Sequence, residues 1–175
     1  MRLVKTLPFL LSLSAALGSA SAWALPNDRD QPIRIQADQA HLDDKKGVAT
    51  YTGDVIITQG SMIIKGNTVT ITRAANGDVD VVTSVGNLAY FEQQQSAEKP
   101  DKMKGYGKQI QYQSQKNLVV LTDQAKVETS DGNTTEGEKI VYNTQSQVAT
   151  AGRGGSVSTP RPRIDMVIQP KKKAE

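Results

Sequence analysis

"YTGDVIITQGSMIIKG", Tyr51 to Gly66, carries an isoleucine doublet on each side of Gly60-Ser61. Side chains alternate between faces along a strand, so each doublet puts one isoleucine on either face. A two-residue loop at Gly60-Ser61, with Gly first, suits a type II′ turn. Gln59 then faces Met62, Ile57 faces Ile64, and Val55 faces Gly66, with Tyr51 and Ala49 continuing that side. The opposite side pairs Thr58 with Ile63 and Ile56 with Lys65, a mixture of apolar and polar. Burying a side chain of this size is worth about 1.5–3 kcal/mol. The face formed by Tyr51, Val55, Ile57, Met62 and Ile64 must therefore be covered. It either packs against a second layer or lines a groove for an apolar ligand, and the pattern admits both.

The rest of the chain reads the same way. Apolar residues recur with period two, and no helical stripe stands out. Lys46-Gly47, Asn76-Gly77 and Asp131-Gly132 are further turn signals. Strands divided by turns at short intervals indicate an all-β domain of hairpins. A shift of 70 residues lays 37–59 over 107–129: Tyr51 falls on Leu121, Val55 on Ala125 and Ile57 on Val127. Repeated hairpins that stack on one another explain this, as does chance similarity between amphipathic strands. Glu92 to Lys104 is polar and contains a proline, so it reads as a mobile loop between two halves.

The first 24 residues read as a secretory signal peptide: Arg2 and Lys5, an apolar run from Leu7 to Leu17, then an A-x-A pattern at Ala22-Trp23-Ala24. The run is too short for a membrane span. Its removal takes two of the 21 basic residues, leaving 19 against 18 acidic ones. Five of those basic residues lie beyond residue 159, so the body has no basic face of the kind that binds nucleic acid. The chain has no cysteine, so strand pairing and burial must hold the exported domain, residues 25–169, together. A short apolar strand is expected at Ile164–Ile168, followed by a disordered basic tail at 170–175.

Catalytic signatures are sparse. His41 is the one histidine, and no cluster with zinc-ligand spacing accompanies it. Asp43-Asp44 would point to opposite faces of a strand and make a turn rather than an acid–base pair. A carbohydrate-active enzyme would need two carboxylates about 5–9.5 Å apart in a cleft. A scaffold with a filled β core would need no ligand at all. No catalytic residue, metal site or cofactor is expected.

Several motifs together carry a resemblance: P-I-x-I-x-A-D at Pro32 to Asp38, Y-T-G-D-V-x-I-x-Q-G at Tyr51 to Gly60, and the later Gly66. "VGNLAYFEQ" (85–93), "GYGKQIQYQ" (105–113) and "LVVLTDQAKV" (118–127) extend it over nearly all of the mature chain. This pattern resembles the OstA-like domain of the LptA family of periplasmic lipopolysaccharide-transport bridge proteins. The resemblance implies a single open antiparallel β-jelly-roll, a taco-like V of two sheets around an apolar groove that carries lipid A acyl chains. It also implies an inner-membrane clamp protein at the N-terminal edge, an outer-membrane translocon at the C-terminal edge and head-to-tail self-association. By motif, Ile33 and Ile35 should line one end of the groove, with Phe91 and Tyr112 further in and Arg73 as a nearby basic residue. With the hairpin face and its repeat counterparts, the expected lipid-facing set is Ile33, Ile35, Tyr51, Val55, Ile57, Met62, Ile64, Arg73, Phe91, Tyr112, Leu121 and Val127. The expected strand edges, near Ile33–Ile35 and Ile164–Ile168, would suit β-augmentation.

Overall fold

The structure is a computed structural model that describes residues 28–96, 100–152 and 163–170. The expected signal peptide lies outside the described residues, as does the expected tail after Pro170. Apart from two 3₁₀ turns, Asp28–Asp30 and Ser114–Lys116, every regular element among the described residues is a strand. These are β1 (Arg34–Gln36), β2 (Gln39–Asp43), β3 (Val48–Gln59), β4 (Met62–Arg73), β5 (Val79–Gln94), β6 (Lys102–Gln113), β7 (Leu118–Thr129), β8 (Thr134–Asn143), β9 (Val148–Gly152) and β10 (Asp165–Val167). All pairs are antiparallel. A meander from β3 to β8 forms the body; β1 and β2 flank β3 at one edge, and β9 and β10 flank β8 at the other.

The hairpin forms in the expected register, with Gln59 opposite Met62, Ile57 opposite Ile64 and Val55 opposite Gly66. Gly60 takes a positive φ of 57° while Ser61 does not, as a turn with Gly in first place requires. The 70-residue repeat also appears in the geometry. β3 and β7 each span 12 residues, and each shifts register at the equivalent step, Thr52/Val55 and Thr122/Ala125. The two copies lie in the same sheet.

The expected pair of sheets is one hydrogen-bonded sheet bent along a crease. Register shifts cross it strand by strand: Thr52/Val55, Lys65/Thr68, Val85/Ala89, Tyr106/Gln109 and Thr122/Ala125. A bulge bends its strand and sharpens the twist. Aligned bulges therefore fold the whole sheet, and each of the long strands contributes to both halves. Phe91 and Tyr112 measure the closure. Phe91 pairs with Gly105, seven residues along β6 from Tyr112, so a flat sheet would hold the two rings about 20 Å apart. Their centroids lie 5.9 Å apart. The halves are closed on each other.

Asp38 and Gly53 are paired at the crease. The Asp38 N–H donates to the Thr52 and Gly53 carbonyls, and a Cβ on Gly53 would meet the Asp38 carboxylate at 2.1 Å. Gly53 also has a φ of 85°, a conformation glycine adopts without cost. The spacing of A-D and T-G-D in the sequence is thus one contact. Strand pairing runs to Gln94 and resumes at Lys102, so the loop expected at 92–104 shrinks to the residues between them.

The isoleucines on the outer face meet a ladder of polar and aromatic side chains. Ile56 pairs with Lys65 and Ile63 with Glu92; Lys65 Nζ lies 5.6 Å from the Tyr90 ring centroid, and Tyr90 is 5.3 Å from Tyr106. Both isoleucines are half-buried by these neighbours. Glu92 is the buried charge of the ladder, accepting from Lys102 Nζ at 2.7 Å and Tyr90 Oη at 2.6 Å. These bonds, Lys102 foremost, hold its carboxyl below the ordinary carboxylate range. The folded carboxyl ionises at lower pH than the unfolded one, so its contribution is complete above the unfolded pKa and is lost as pH falls through the folded value. Because Lys102 is half-exposed, Glu92→Gln should cost only about 1 kcal/mol at pH 7. In urea unfolding that difference should shrink once the pH drops below the ordinary value of 4.5.

Candidate functional site

The inner faces of the two halves meet in one apolar cluster. Val55, Ile57, Met62, Ile64, Phe91, Tyr112, Leu121 and Val127 belong to it, and all are at most 4 % exposed. Ile35 and Tyr51 pack against it, partly buried. Ile33 stands at its N-terminal end and is 39 % exposed. Eleven of the twelve expected residues are thus gathered on or at the rim of one apolar interior. Arg73 ends β4 opposite Val79, which packs against the cluster; it is half-exposed, with its guanidinium 3.6 Å from Asp44.

Sequence reasoning missed Met103, Ile110, Val119 and Ile140, all in the same cluster and nearly inaccessible. Period two, counted outward from Tyr112 and Leu121, marks Ile110 and Val119. Counting across the crease fails on β4, β5 and β6, where the buried positions change parity (Met62 and Ile64 against Val69 and Ile71), whereas β3 and β7 keep theirs. Tyr142 was also missed; burial raises its phenol pKa, and its Oη accepts from Gln95 Nε2 at 2.5 Å.

Each end of the interior opens into a cavity. The N-terminal one has a volume of about 610 Å³ and an apolar floor that includes Ile33, Ile57, Met62, Ile71, Val82 and Tyr112. Its rim carries Arg29, Asp30, Gln59 and Asp78. The C-terminal one, about 430 Å³, lies between Val127, Thr135, Tyr142 and Ala149. Polar bonds join the two halves across the mouth beside each cavity. At the C-terminal end Gln147 Nε2 donates to the Gln95 carbonyl at 2.7 Å, beside the Gln95–Tyr142 bond. At the N-terminal end the 3₁₀ turn Asp28–Asp30 crosses from the β3–β4 turn to the β6–β7 turn. The sequence held no signal for that crossing.

The geometry offers apolar burial and hydrogen bonding, and little else. Among the described residues no group of three or more His, Cys, Asp or Glu side chains could hold a metal ion. No helix among them is long and apolar enough to cross a membrane.

Residues 34–148 match the family model described as LptA/(LptD N-terminal domain) LPS transport protein. The chain belongs to this family. It is 62 % identical, over the whole of both chains, to the lipopolysaccharide export system protein LptH of Pseudomonas aeruginosa. It is 36 % identical to the lipopolysaccharide export system protein LptA of Escherichia coli, over 88 % of this chain and 83 % of that one. The crystal structure of LptH, described as the LptA homologous periplasmic component of the lipopolysaccharide transport device of P. aeruginosa, superposes with a TM-score of 0.76. That match is at 60 % identity and covers 83 % of this chain and all of the other. The family is thus described as one of LPS transport. The creased sheet of this chain is therefore a member's version of the family fold, and its strand order and crease are those described above.

Proposed function

We propose that this chain is a periplasmic lipopolysaccharide carrier that bridges the inner and outer membranes and holds lipid A acyl chains between the two halves of its sheet. The observation that carries this reading is the single apolar interior, which runs between the halves and ends in a cavity beside each free sheet edge. Each CH₂ removed from water contributes about 0.8 kcal/mol, so an apolar slot can hold a lipid across an aqueous space without releasing it. The names of the two relatives described above, both lipopolysaccharide export system proteins, support the same reading.

The edges suit assembly. β1 ends the sheet on one side and β10 on the other, and exposed apolar side chains stand at both: Ile33 near β1, and Ile164, Met166, Val167 and Ile168 near β10. Unlike edges join head to tail and can form open filaments. In this reading the N-terminal edge meets the inner-membrane clamp protein, the C-terminal edge meets the outer-membrane translocon, and further copies stack between them.

A photo-crosslinking residue at Ile35 or Tyr112 in living cells should yield lipopolysaccharide adducts. Absence of adducts at every interior position, with the protein present at normal levels, overturns the carrier reading.

A further inference from the structure

The interior is packed in this structure, so an acyl chain gains access only where the halves part. At the N-terminal end the crossing element is anchored unequally. On one half, the Asp28 carboxylate accepts from Ser61 N–H at 2.7 Å, Ser61 Oγ at 2.8 Å and Gln93 Nε2 at 2.8 Å. Gln59 Nε2 adds bonds to the Arg29 and Gln31 carbonyls at 3.0 and 3.1 Å. Gly60 leaves room for this anchor, since a Cβ there would lie 2.2 Å from Asp28 Oδ1. On the other half, the Arg29 guanidinium donates to the Ser114 carbonyl and to Asn117 Oδ1.

We propose that Asp28–Gln31 is a strap over the N-terminal cavity, that this cavity is the first seat of an acyl chain, and that Arg29 is the latch that lets go to admit it. This rests on the lipid-carrying reading above. The strap is fixed on the Ser61 side by several bonds around a buried carboxylate, so Asp28 acts as the hinge. The latch side is held by a guanidinium on neutral oxygens. A phosphate or carboxylate oxygen bonds a guanidinium more strongly than a carbonyl does, and often at two points. An amphiphile with an anionic head can therefore take Arg29 from Ser114 and Asn117, releasing the latch as its tail reaches the apolar floor. Asp30 and Asp78 on the same rim repel an anion, so the guanidinium of Arg29 is the cationic group of that lining left to receive it. The cavity volume of about 610 Å³ lies within the range of roughly 300–1,000 Å³ found for small-molecule sites.

The test is stopped-flow uptake by the purified protein of two probes, lipid A with a fluorescent acyl label and the same molecule stripped of its phosphates. Arg29→Gln should speed uptake of the dephosphorylated probe about fivefold, because the open form becomes more populated. It should also erase the wild-type preference for the phosphorylated probe. The chain has no native cysteine, so Arg29→Cys with Asn117→Cys can be bridged selectively by a short bismaleimide. Bridging should slow uptake of both probes about tenfold. With the same reagent, Arg29→Cys alone should keep the Arg29→Gln rate, and Asn117→Cys alone, which removes one of the two latch acceptors, should fall between that rate and wild type, both with a normal thermal melt. A bridged protein that takes up lipid at the unbridged rate overturns the strap while leaving the carrier reading intact. So does an Arg29→Gln protein indistinguishable from wild type. Wild-type protein that binds neither probe overturns the carrier reading and the strap with it.

Discussion

Phe91→Ala is expected to lower the stability of this protein by about 3–5 kcal/mol, the range for removing a buried aromatic side chain. Phe91 is 0 % exposed and is the largest fully buried side chain among the described residues. It is also the ring that meets Tyr112 across the closed halves, at 5.9 Å. Its loss removes burial and an inter-half contact together, and β5 and β6, already paired, have little freedom to collapse into the space. Urea unfolding measures the cost, with Phe91→Leu as the control, expected to lose much less. A loss below about 1 kcal/mol for Phe91→Ala would mean that the halves are not closed on each other. The same variant should take up lipid faster than wild type, since the contact that holds the interior shut is weakened.

Gly53→Ala is expected to cost about 2–4 kcal/mol, more than an ordinary overpacked site. Two effects combine at this residue. Its φ of 85° disfavours any side chain. The new Cβ would also lie 2.1, 2.5 and 2.6 Å from the Asp38 Oδ2, Cγ and Cβ. Asp38→Gly in the Gly53→Ala background should recover the steric part and leave the backbone part, giving a non-additive cycle. Strict additivity in thermal or urea unfolding would show that the two residues do not touch. Gly53 sits where β3 bulges, so a variant that does fold should also show altered closure, read as a changed Phe91–Tyr112 distance.

The hairpin register was legible because it needed only local information. Period two and a glycine-led turn are enough to place Ile57 against Ile64. The repeat was legible for the same reason, as two stretches with the same pattern became β3 and β7. The crease was not legible. It arises from five bulges that come into line only when strands distant in sequence are paired. Gly53 and Gly66 were visible as motif residues, but nothing local says that their positions align across the sheet. Arg73 was placed by motif alone; it ends β4 opposite Val79, which packs against the interior, and its guanidinium lies 3.6 Å from Asp44.

The amino-acid sequence by itself determined the all-β class, the facing pairs of the central hairpin and the chemical character of the interior. Alternation and turn chemistry act over a few residues and survive without knowledge of the partners. The tertiary structure alone decided that two expected sheets are one bent sheet. It also showed that the apolar faces are pressed together with cavities at the ends, and that Asp28–Gln31 crosses between the halves. Each of these depends on contacts between residues far apart in the chain: Arg29 is 85 positions from Ser114 and Asp28 is 65 from Gln93. A hydrogen bond to a backbone carbonyl leaves no trace in the acceptor's identity, so no pattern in the sequence could have announced it.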